Sequence, residues 1–230
     1  AAGVAATDAS VLLFLDAAES LELVGTSADF RAQALRDGDD DQQYVILQAG
    51  DRSEEFMLYR KVVPIPDRDL VAELGKAWRQ VEAVRIAAAV PLDDNGQPRA
   101  TEAEPLHVYF PTEEETGLSI VFNADFQVEL DRRRIASSGP AGVYNAWLCK
   151  ELAEFVAEAV VPDLTARFGG AATVDVLAPH GPATHTGEGL TGALFDELGD
   201  VAWIPCRDGE LRAPAGVWLL PASVPSVADA

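Results

Sequence analysis

Three consecutive arginines are the residues of this 230-residue chain whose type and spacing best suit a chemical role. A strand-like alternating segment, FNADFQVELD (122–131), leads directly into Arg132, Arg133 and Arg134. Side chains alternate between the two faces of a strand, so Arg132 and Arg134 are predicted to point one way and Arg133 the other. Two guanidinium groups on one face suit a carboxylate or a phosphate. Pairing with the chain's own carboxylates is the alternative, and the residues alone leave both interpretations open.

Glycines and histidines in the last third of the chain suggest two further kinds of site. The segment GEGLTG (187–192) lacks the Lys-Ser/Thr pair of a phosphate loop, so we interpret it as an ordinary loop and helix start. A metal site, or an independent hydrolase, would have to use His180, His185 and Cys206. The two histidines share one loop without a third ligand at a recognisable spacing, so no metal site is predicted.

Nucleophilic catalysis has little support in the sequence. The chain has no G-x-S-x-G motif, and Cys149 and Cys206 fall within a predicted helix and at the end of a predicted strand. Both cysteines are therefore predicted to be packing residues. The carboxylate clusters at 39–41 and 113–115 are predicted to be solvated turns, because acids are abundant throughout the chain.

The charge balance restricts the partners of the chain. Seventeen lysines and arginines face thirty-eight acidic residues, which gives a formal net charge of −21. A field of this sign repels phosphate backbones and anionic lipid, so neither nucleic acid nor a membrane is a predicted partner. Any anion site must be built locally.

The setting predicted for the chain is cytoplasmic. Its two cysteines form no C-x-x-C pair, which favours a reducing compartment. The apolar run VLLFL (11–15) is too short to span a bilayer and lacks the basic flank of a signal peptide. The first residue is not Met, so we expect the chain to be a piece of a longer protein.

The secondary structure predicted from the sequence indicates an α+β fold, or a mixed α/β one, which must position these residues. In it, strands come first and a long helix follows. Helices are predicted at 11–23, 67–81, 144–168 and 190–200. Strands are predicted at 43–50, 55–65, 84–99, 105–111, 118–122, 125–130, 172–179, 201–206 and 216–221.

Helix starts and domain boundaries follow from the same patterns. Ser10, Asp67 and Asn145 are predicted N-caps, and Pro162 is predicted to kink or divide the long helix. The chain is predicted to comprise a larger domain (1–168), a smaller C-terminal α/β subdomain (169–220) and a linker or tail (221–230).

Several segments, read in order, resemble a region of sacsin-type proteins. The segments are PLDDNGQP (91–98), LHVYFPTEEETGLSIVFNADFQVELDRRRI (106–135), YNAWL (144–148) and VAWIPCRDGELRAPAGVWLLP (201–221). In that family this region follows an ATP-binding domain of the histidine-kinase/gyrase/chaperone type. The resemblance implies a more distant likeness to the middle domain of the ninety-kilodalton heat-shock chaperones, with a β-α-β core. Residues 1–168 would then be the middle-type domain.

The resemblance also implies a role for one arginine. In the chaperones an Arg of the middle domain can contact the γ-phosphate of ATP held by the neighbouring domain. The order Leu-x-Arg is matched here by Leu130, Asp131 and Arg132, so Arg132 is the implied γ-phosphate contact, whereas Arg133 and Arg134 receive no such role. The Gln that follows one helical turn later in the chaperones is Ala136 here.

The chain is expected to act as a companion domain and not to bind ATP itself. It lacks the D-x-G-x-G turn and the glycine-rich lid of the ATP-binding domain, so ATP and Mg²⁺ are expected only on a partner domain. The leading hypothesis is a non-catalytic middle domain of a sacsin-like ATPase that also contacts client protein. The alternative is a stand-alone acidic interaction module whose arginines form structural ion pairs.

Overall fold

The computed structural model describes residues 9–15, 17–23 and 30–217. Its main sheet consists of β1 (Ser20–Leu23), β2 (Phe30–Gly38), β3 (Gln42–Ala49), β4 (Arg52–Pro64), β5 (Ala83–Leu92), β6 (Pro105–Val108), β7 (Phe110–Glu115) and β8 (Val121–Ala124). The spatial order is β1-β2-β3-β4-β5-β8-β6-β7, and the pairing is antiparallel except between β6 and β8. A separate short hairpin joins β9 (Ile204–Pro205) to β10 (Leu211–Arg212). With several helices beside this sheet, the predicted α+β class is confirmed.

Strand β5 lies inside the sheet because its residues from Ile86 to Leu92 are apolar and buried on both faces. It pairs with β4 on one side and β8 on the other. Ile86 and Val90 belong to the core beneath the helices, whereas Ala87 and Ala89 belong to the core on the opposite face. The alternation of the strand therefore divides its side chains between two cores.

The helices pack on one face of the sheet. They are α1 (Arg68–Ala72), α2 (Gly139–Phe155), α3 (Val161–Phe168), α4 (Gly170–Leu177) and α5 (His185–Glu197). Buried residues from both sides of position 168, such as Leu148, Leu152, Val176 and Leu190, belong to one hydrophobic cluster. The division into domains at 168/169 stays a prediction.

The long helix begins earlier than its apolar spacing predicts. Helix α2 starts at Gly139 after Ser138, with Pro140 in its first turn, where the fixed φ of proline suits a helix start. Asn145 therefore lies inside the helix, and its prediction as an N-cap is wrong.

Pro162 interrupts the long helix with a π turn and not with a break. The turn spans Val156–Val160 and joins α2 to α3. A proline removes one backbone N–H and its ring crowds the carbonyl four residues earlier, here that of Glu158, so a wider turn relieves the clash. Beyond the turn, Asp163 accepts hydrogen bonds from the Tyr59 hydroxyl at 2.7 Å and from Gln42 Nε2 at 2.8 Å.

The face of the sheet opposite the helices is covered by a 3₁₀ turn (Ala9–Leu13). Leu12, Leu13 and Phe14 are buried there against Val45 and other residues of the strands. The helix predicted at 11–23 is wrong, because the 3₁₀ turn ends at Leu13 and β1 starts at Ser20.

Two other predicted elements also differ from the structure. The helix predicted at 67–81 is limited to α1 and a 3₁₀ turn (Trp78–Gln80), since Gly75, with φ of 122°, lies between them. Its predicted cap is confirmed, because the Asp67 side chain accepts the N–H of Asp69 at 2.8 Å. The strand predicted at 172–179 is instead α4, which begins after Gly169.

The end of the chain is described only in part. A 3₁₀ turn spans Pro214–Gly216, while most of the strand predicted at 216–221 and the whole tail at 221–230 lie outside the described residues. Within the ranges described, no helix has the length and apolar character needed to cross a membrane.

Candidate functional site

The arginine cluster lies on a tight hairpin and not at the end of a strand. Val128 and Ile135 form an isolated antiparallel bridge, and the N–H of Glu129 binds the carbonyl of Arg134 at 2.8 Å. The turn closes where the N–H of Arg132 binds the carbonyl of Glu129 at 2.9 Å. The strand predicted at 125–130 is therefore wrong, because its second half forms this turn.

The backbone of Arg132 reverses direction in the left-handed region. Its φ is 59°, a conformation that residues with a side chain rarely adopt. The Asp131 carboxylate supports the same turn by accepting the N–H of Arg133 at 2.9 Å. Strand alternation therefore does not hold across the three arginines, and the predicted division of their side chains between two faces is wrong.

Arg133 and Arg134 form ion pairs with the same carboxylate. Both guanidinium groups approach Glu113 on β7, and the Arg134 Nε lies 3.7 Å from Glu113 Oε2. The backbone adds a bond at this point, since the N–H of Glu113 binds the carbonyl of Arg133 at 2.7 Å. The pairs are largely solvent-exposed, so each contributes only about 0–1 kcal/mol to stability. For these two arginines, the alternative of pairing with the chain's own carboxylates therefore holds. The turn predicted at 113–115 is wrong, because these residues belong to β7.

Arg132 differs from its two neighbours. Its side chain is exposed and forms neither a hydrogen bond nor an ion pair with any residue in the described ranges. The structure therefore separates Arg132, whose guanidinium has no partner among the described residues, from two paired arginines.

Asn145 holds the base of the hairpin. Its Oδ1 accepts the N–H of Gln127 at 2.8 Å, and its Nδ2 donates to the carbonyls of Gln127 and Ala136, each at 2.8 Å. Asn145 is only 3% exposed, so these bonds lie in a low-dielectric environment where losing them is costly. One side chain of α2 thus fixes both sides of the hairpin that carries Arg132.

The neighbours of Asn145 in YNAWL strengthen this attachment. Tyr144 is fully buried, packs edge-on against Trp78 with ring centroids 5.1 Å apart, and donates its hydroxyl to the carbonyl of Asp125 at 3.1 Å. Burial is the main cause that raises the pKa of Tyr144 far above its ordinary value, so the hydroxyl keeps its proton and acts as a donor. The segment before the hairpin is thereby held at Asp125 as well.

Two adjoining clefts lie beside the hairpin. The first, of about 480 Å³, is bordered by Leu130, Asp131 and Arg134 on the hairpin and by His185 at the start of α5. The second, of about 220 Å³, shares His185 and reaches Cys149 on α2. Burial raises the pKa of Cys149 to about 12, so the thiol stays protonated and is a poor nucleophile near neutral pH.

The start of α5 packs closely against β7. The Thr184 hydroxyl donates to Glu114 Oε2 at 2.6 Å and accepts the N–H of Glu115 at 3.0 Å. A Cβ at Gly187 would overlap the carbonyl oxygen of Glu115. The glycines of GEGLTG thus lie inside α5, so their prediction as a loop before the helix is wrong. Gly187 is required by close packing against β7 and not by a turn.

The histidines and Cys206 lie in different local environments. His180 binds the carbonyl of Asp175 through Nε2 at 2.7 Å, His185 opens α5, and Cys206 follows β9 with its Sγ directed to the carbonyl of Ile204. No group of three metal-ligating side chains occurs among the residues for which the structure gives positions.

Sequence reasoning missed two residues that matter most for the geometry of Arg132. Glu113 was interpreted as a solvated acid and Asn145 as a cap, whereas both bind the hairpin. Both residues belong to the series of segments that also contains the arginines, and this membership could have identified them. Their spacing in the sequence does not by itself show that they contact the hairpin.

Comparisons with protein-family models, with curated proteins and with solved structures found no match to this chain.

Proposed function

We propose that the chain is the companion, middle-type domain of a sacsin-like ATPase, part of a longer cytoplasmic protein, in which Arg132 contacts the γ-phosphate of ATP held by an adjoining domain. The chain itself would bind neither ATP nor Mg²⁺. It would complete or transmit hydrolysis and contact client protein, and neither nucleic acid nor a membrane would be a partner.

The observation that carries this proposal is the contrast between Arg132 and its neighbours. Arg133 and Arg134 are paired with Glu113, whereas the guanidinium of Arg132 has no partner among the described residues, in a chain with a net charge of −21. A free guanidinium is suited to stabilising the charge that develops on a phosphoryl group during transfer.

Rigid support is the second requirement of such a role. An electrostatic contact lowers a barrier most when the group is already in position before the reaction. The N–H of Glu113 bonds to the carbonyl of Arg133, next to Arg132, and Asn145 holds the base of the hairpin at Gln127 and Ala136. These contacts support the proposal because they leave only the side chain of Arg132 to be ordered on docking.

The test is the ATPase activity of the longer protein. Arg132→Ala is expected to lower kcat by roughly 10²-fold or more, with a smaller change in KM, because the contact forms mainly in the transition state. Arg133→Ala is the matched control and should retain most of the activity, since Arg134 still pairs with Glu113. An unchanged kcat in the Arg132 variant contradicts the γ-phosphate contact.

Calorimetry tests the companion role separately. The isolated chain should give no binding heat with Mg-ATP, and micromolar or tighter ATP binding would contradict the proposal. The parent gene should also encode a D-x-G-x-G motif before residue 1.

The alternative is a stand-alone acidic interaction module without a nucleotide-linked role. The pairing of Arg133 and Arg134 with Glu113 favours it, because two of the three arginines already have a structural use. This module would be expected if Arg132→Ala weakened binding of a client protein and left all ATPase activity unchanged.

A further inference from the structure

A cleft on the main sheet reverses the charge balance of the chain. It has a volume of about 530 Å³, and four cations and two carboxylates border it. They are Arg36, Arg60, Lys61 and Arg85, with Asp40 and Asp41. In the whole chain thirty-eight acidic residues face seventeen basic ones. Because the overall field repels anions, a site for an anion has to be built from a local excess of cations, and this cleft has such an excess.

Three of these cations stand on one face of the sheet. Arg36 on β2, Arg60 on β4 and Arg85 on β5 are each two residues from a buried member of the core under the 3₁₀ turn. These members are Ala34, Leu58 and Ala87. Side chains two residues apart in a strand share a face, so the three arginines extend that face towards the end of the sheet where β2 turns into β3.

Bonds within the chain orient two of the arginines. Arg36 donates to three backbone carbonyls before β1. They belong to Leu12, Leu15 and Ala18. Arg60 donates from Nη1 to Gln43 Oε1 at 2.7 Å. Lys61 points to the opposite face, where its Nζ lies 5.9 Å from the centre of the Phe155 ring. A guanidinium that is already oriented loses less conformational entropy when a ligand binds, so the arginines suit a direct contact better than Lys61 does.

The side chains around the cleft combine groups for a phosphate with groups for hydroxyls. Guanidinium forks bind phosphate oxygens through charge-assisted hydrogen bonds. Carboxylates such as those of Asp40 and Asp41 accept hydrogen bonds from hydroxyl groups and repel a bare anion. No aromatic ring is among the described residues that border the cleft, so it offers no surface on which a nucleobase would stack. The volume lies in the range of small-molecule sites.

We propose that this cleft binds a small phosphorylated sugar or polyol, whose phosphate contacts the arginines and whose hydroxyls contact Asp40 and Asp41. The inference is independent of the proposed function, because the hairpin of Arg132 does not border the cleft. Failure of either proposal leaves the other unchanged.

Nuclear magnetic resonance titration of the isotope-labelled chain at low salt tests the site. Glucose 6-phosphate is expected to bind with a Kd of about 1 mM or tighter and to shift the backbone signals of Arg60 and Val62, which border the cleft. Inorganic phosphate should bind about five-fold more weakly, since it lacks the sugar hydroxyls. Glucose should not bind, since it carries no charge for the arginines.

Two results of this titration overturn the proposal. If about 10 mM glucose 6-phosphate causes no shifts around the cleft, the arginines serve only interactions within the chain. If glucose 6-phosphate and inorganic phosphate bind with the same Kd, the ligand class is wrong.

A matched pair of arginine variants separates a specific site from a general effect of charge. Arg85 is exposed, so Arg85→Gln is expected to stay folded and to weaken glucose 6-phosphate binding about ten-fold. Arg52→Gln removes the same charge at the opposite end of β4 from Arg60 and should change the Kd less than about two-fold. Equal weakening by the two substitutions overturns the proposal, because binding would then follow net charge alone.

Removal of a carboxylate tests the hydroxyl contacts. Asp40→Ala should weaken the binding of glucose 6-phosphate, which loses an acceptor for its hydroxyls, and strengthen the binding of inorganic phosphate, which loses a like charge. Each change is expected to be about three-fold. Stronger binding of both anions would mean that Asp40 only repels them, and the phosphorylated sugar would be refuted.

Discussion

Asn145, in the interior of α2, binds both the N–H and the carbonyl of Gln127, each at 2.8 Å. The two residues are eighteen positions apart in the chain, and their pairing attaches the Arg132 hairpin to the longest helical segment of the fold. The geometry of the hairpin therefore depends on one buried amide.

Replacing this amide should destabilise the protein. We expect Asn145→Ala to lower the free energy of unfolding by about 3 kcal/mol, because the N–H of Gln127 and the carbonyl of Ala136 lose their side-chain partner and the carbonyl of Gln127 keeps only the N–H of Ala136. Urea denaturation followed by circular dichroism measures the change. Lys150→Ala, at an exposed position of the same helix, should change stability by less than about 0.5 kcal/mol. Equal stability of the two variants would contradict the stabilising role of the Asn145 hydrogen bonds.

Gly187 and Gly189 should respond in opposite directions to the same substitution. Gly187→Ala places a Cβ against the carbonyl of Glu115 and is expected to destabilise by about 1–3 kcal/mol, because helix α5 must move away from β7. Gly189→Ala meets open space and should stabilise by up to about 1 kcal/mol, since alanine favours the helix. Thermal unfolding of both variants makes the comparison. A stabilising Gly187→Ala would contradict the close packing.

The two cysteines should differ in reactivity. Cys149 is buried, and its pKa is raised to about 12, whereas Cys206 is partly exposed. At pH 8 a thiol reagent should modify Cys206 in the native protein and reach Cys149 only after unfolding. A Cys206→Ser variant leaves Cys149 as the one thiol and so measures its labelling alone. Rapid native labelling of that variant would contradict the burial of Cys149.

The same raised pKa predicts the direction of a pH effect. Burial favours the protonated thiol of Cys149 in the folded state, so its contribution to stability is fully present below pH 9, its ordinary pKa. The contribution is lost as the pH rises towards about 12. Urea midpoints should therefore fall over this range, and Cys149→Ala should reduce the slope.

Local patterns were sufficient for several elements of the fold. Alternating β-branched and aromatic residues predicted β3 and β4, and Asp67 identified the start of α1. These features depend on residues close together in the chain, so propensity and spacing decide them. Helix α4 was predicted as a strand, because its short apolar run fits either structure without its packing.

The candidate site was harder to predict because its geometry comes from distant partners. The positive φ of Arg132, the ion pairs of Arg133 and Arg134 with Glu113, and the bonds of Asn145 all require the sheet and α2 to be assembled. The sequence singled out the three arginines, but it did not indicate that Arg133 and Arg134 pair with Glu113 while Arg132 has no partner among the described residues. Tertiary contacts overrode the alternation on which the prediction depended.

The π turn (Val156–Val160) sets the rotational phase of everything that follows it in the long helix. Each residue of an α-helix advances the direction of its side chain by about 100°, so a turn that accommodates one additional residue shifts the facing of α3 by that angle. In this phase Asp163 meets Tyr59 and Gln42 on the sheet. The number of residues in this turn therefore decides where Asp163 points, and the loss of one residue would remove its hydrogen bonds to Tyr59 and Gln42.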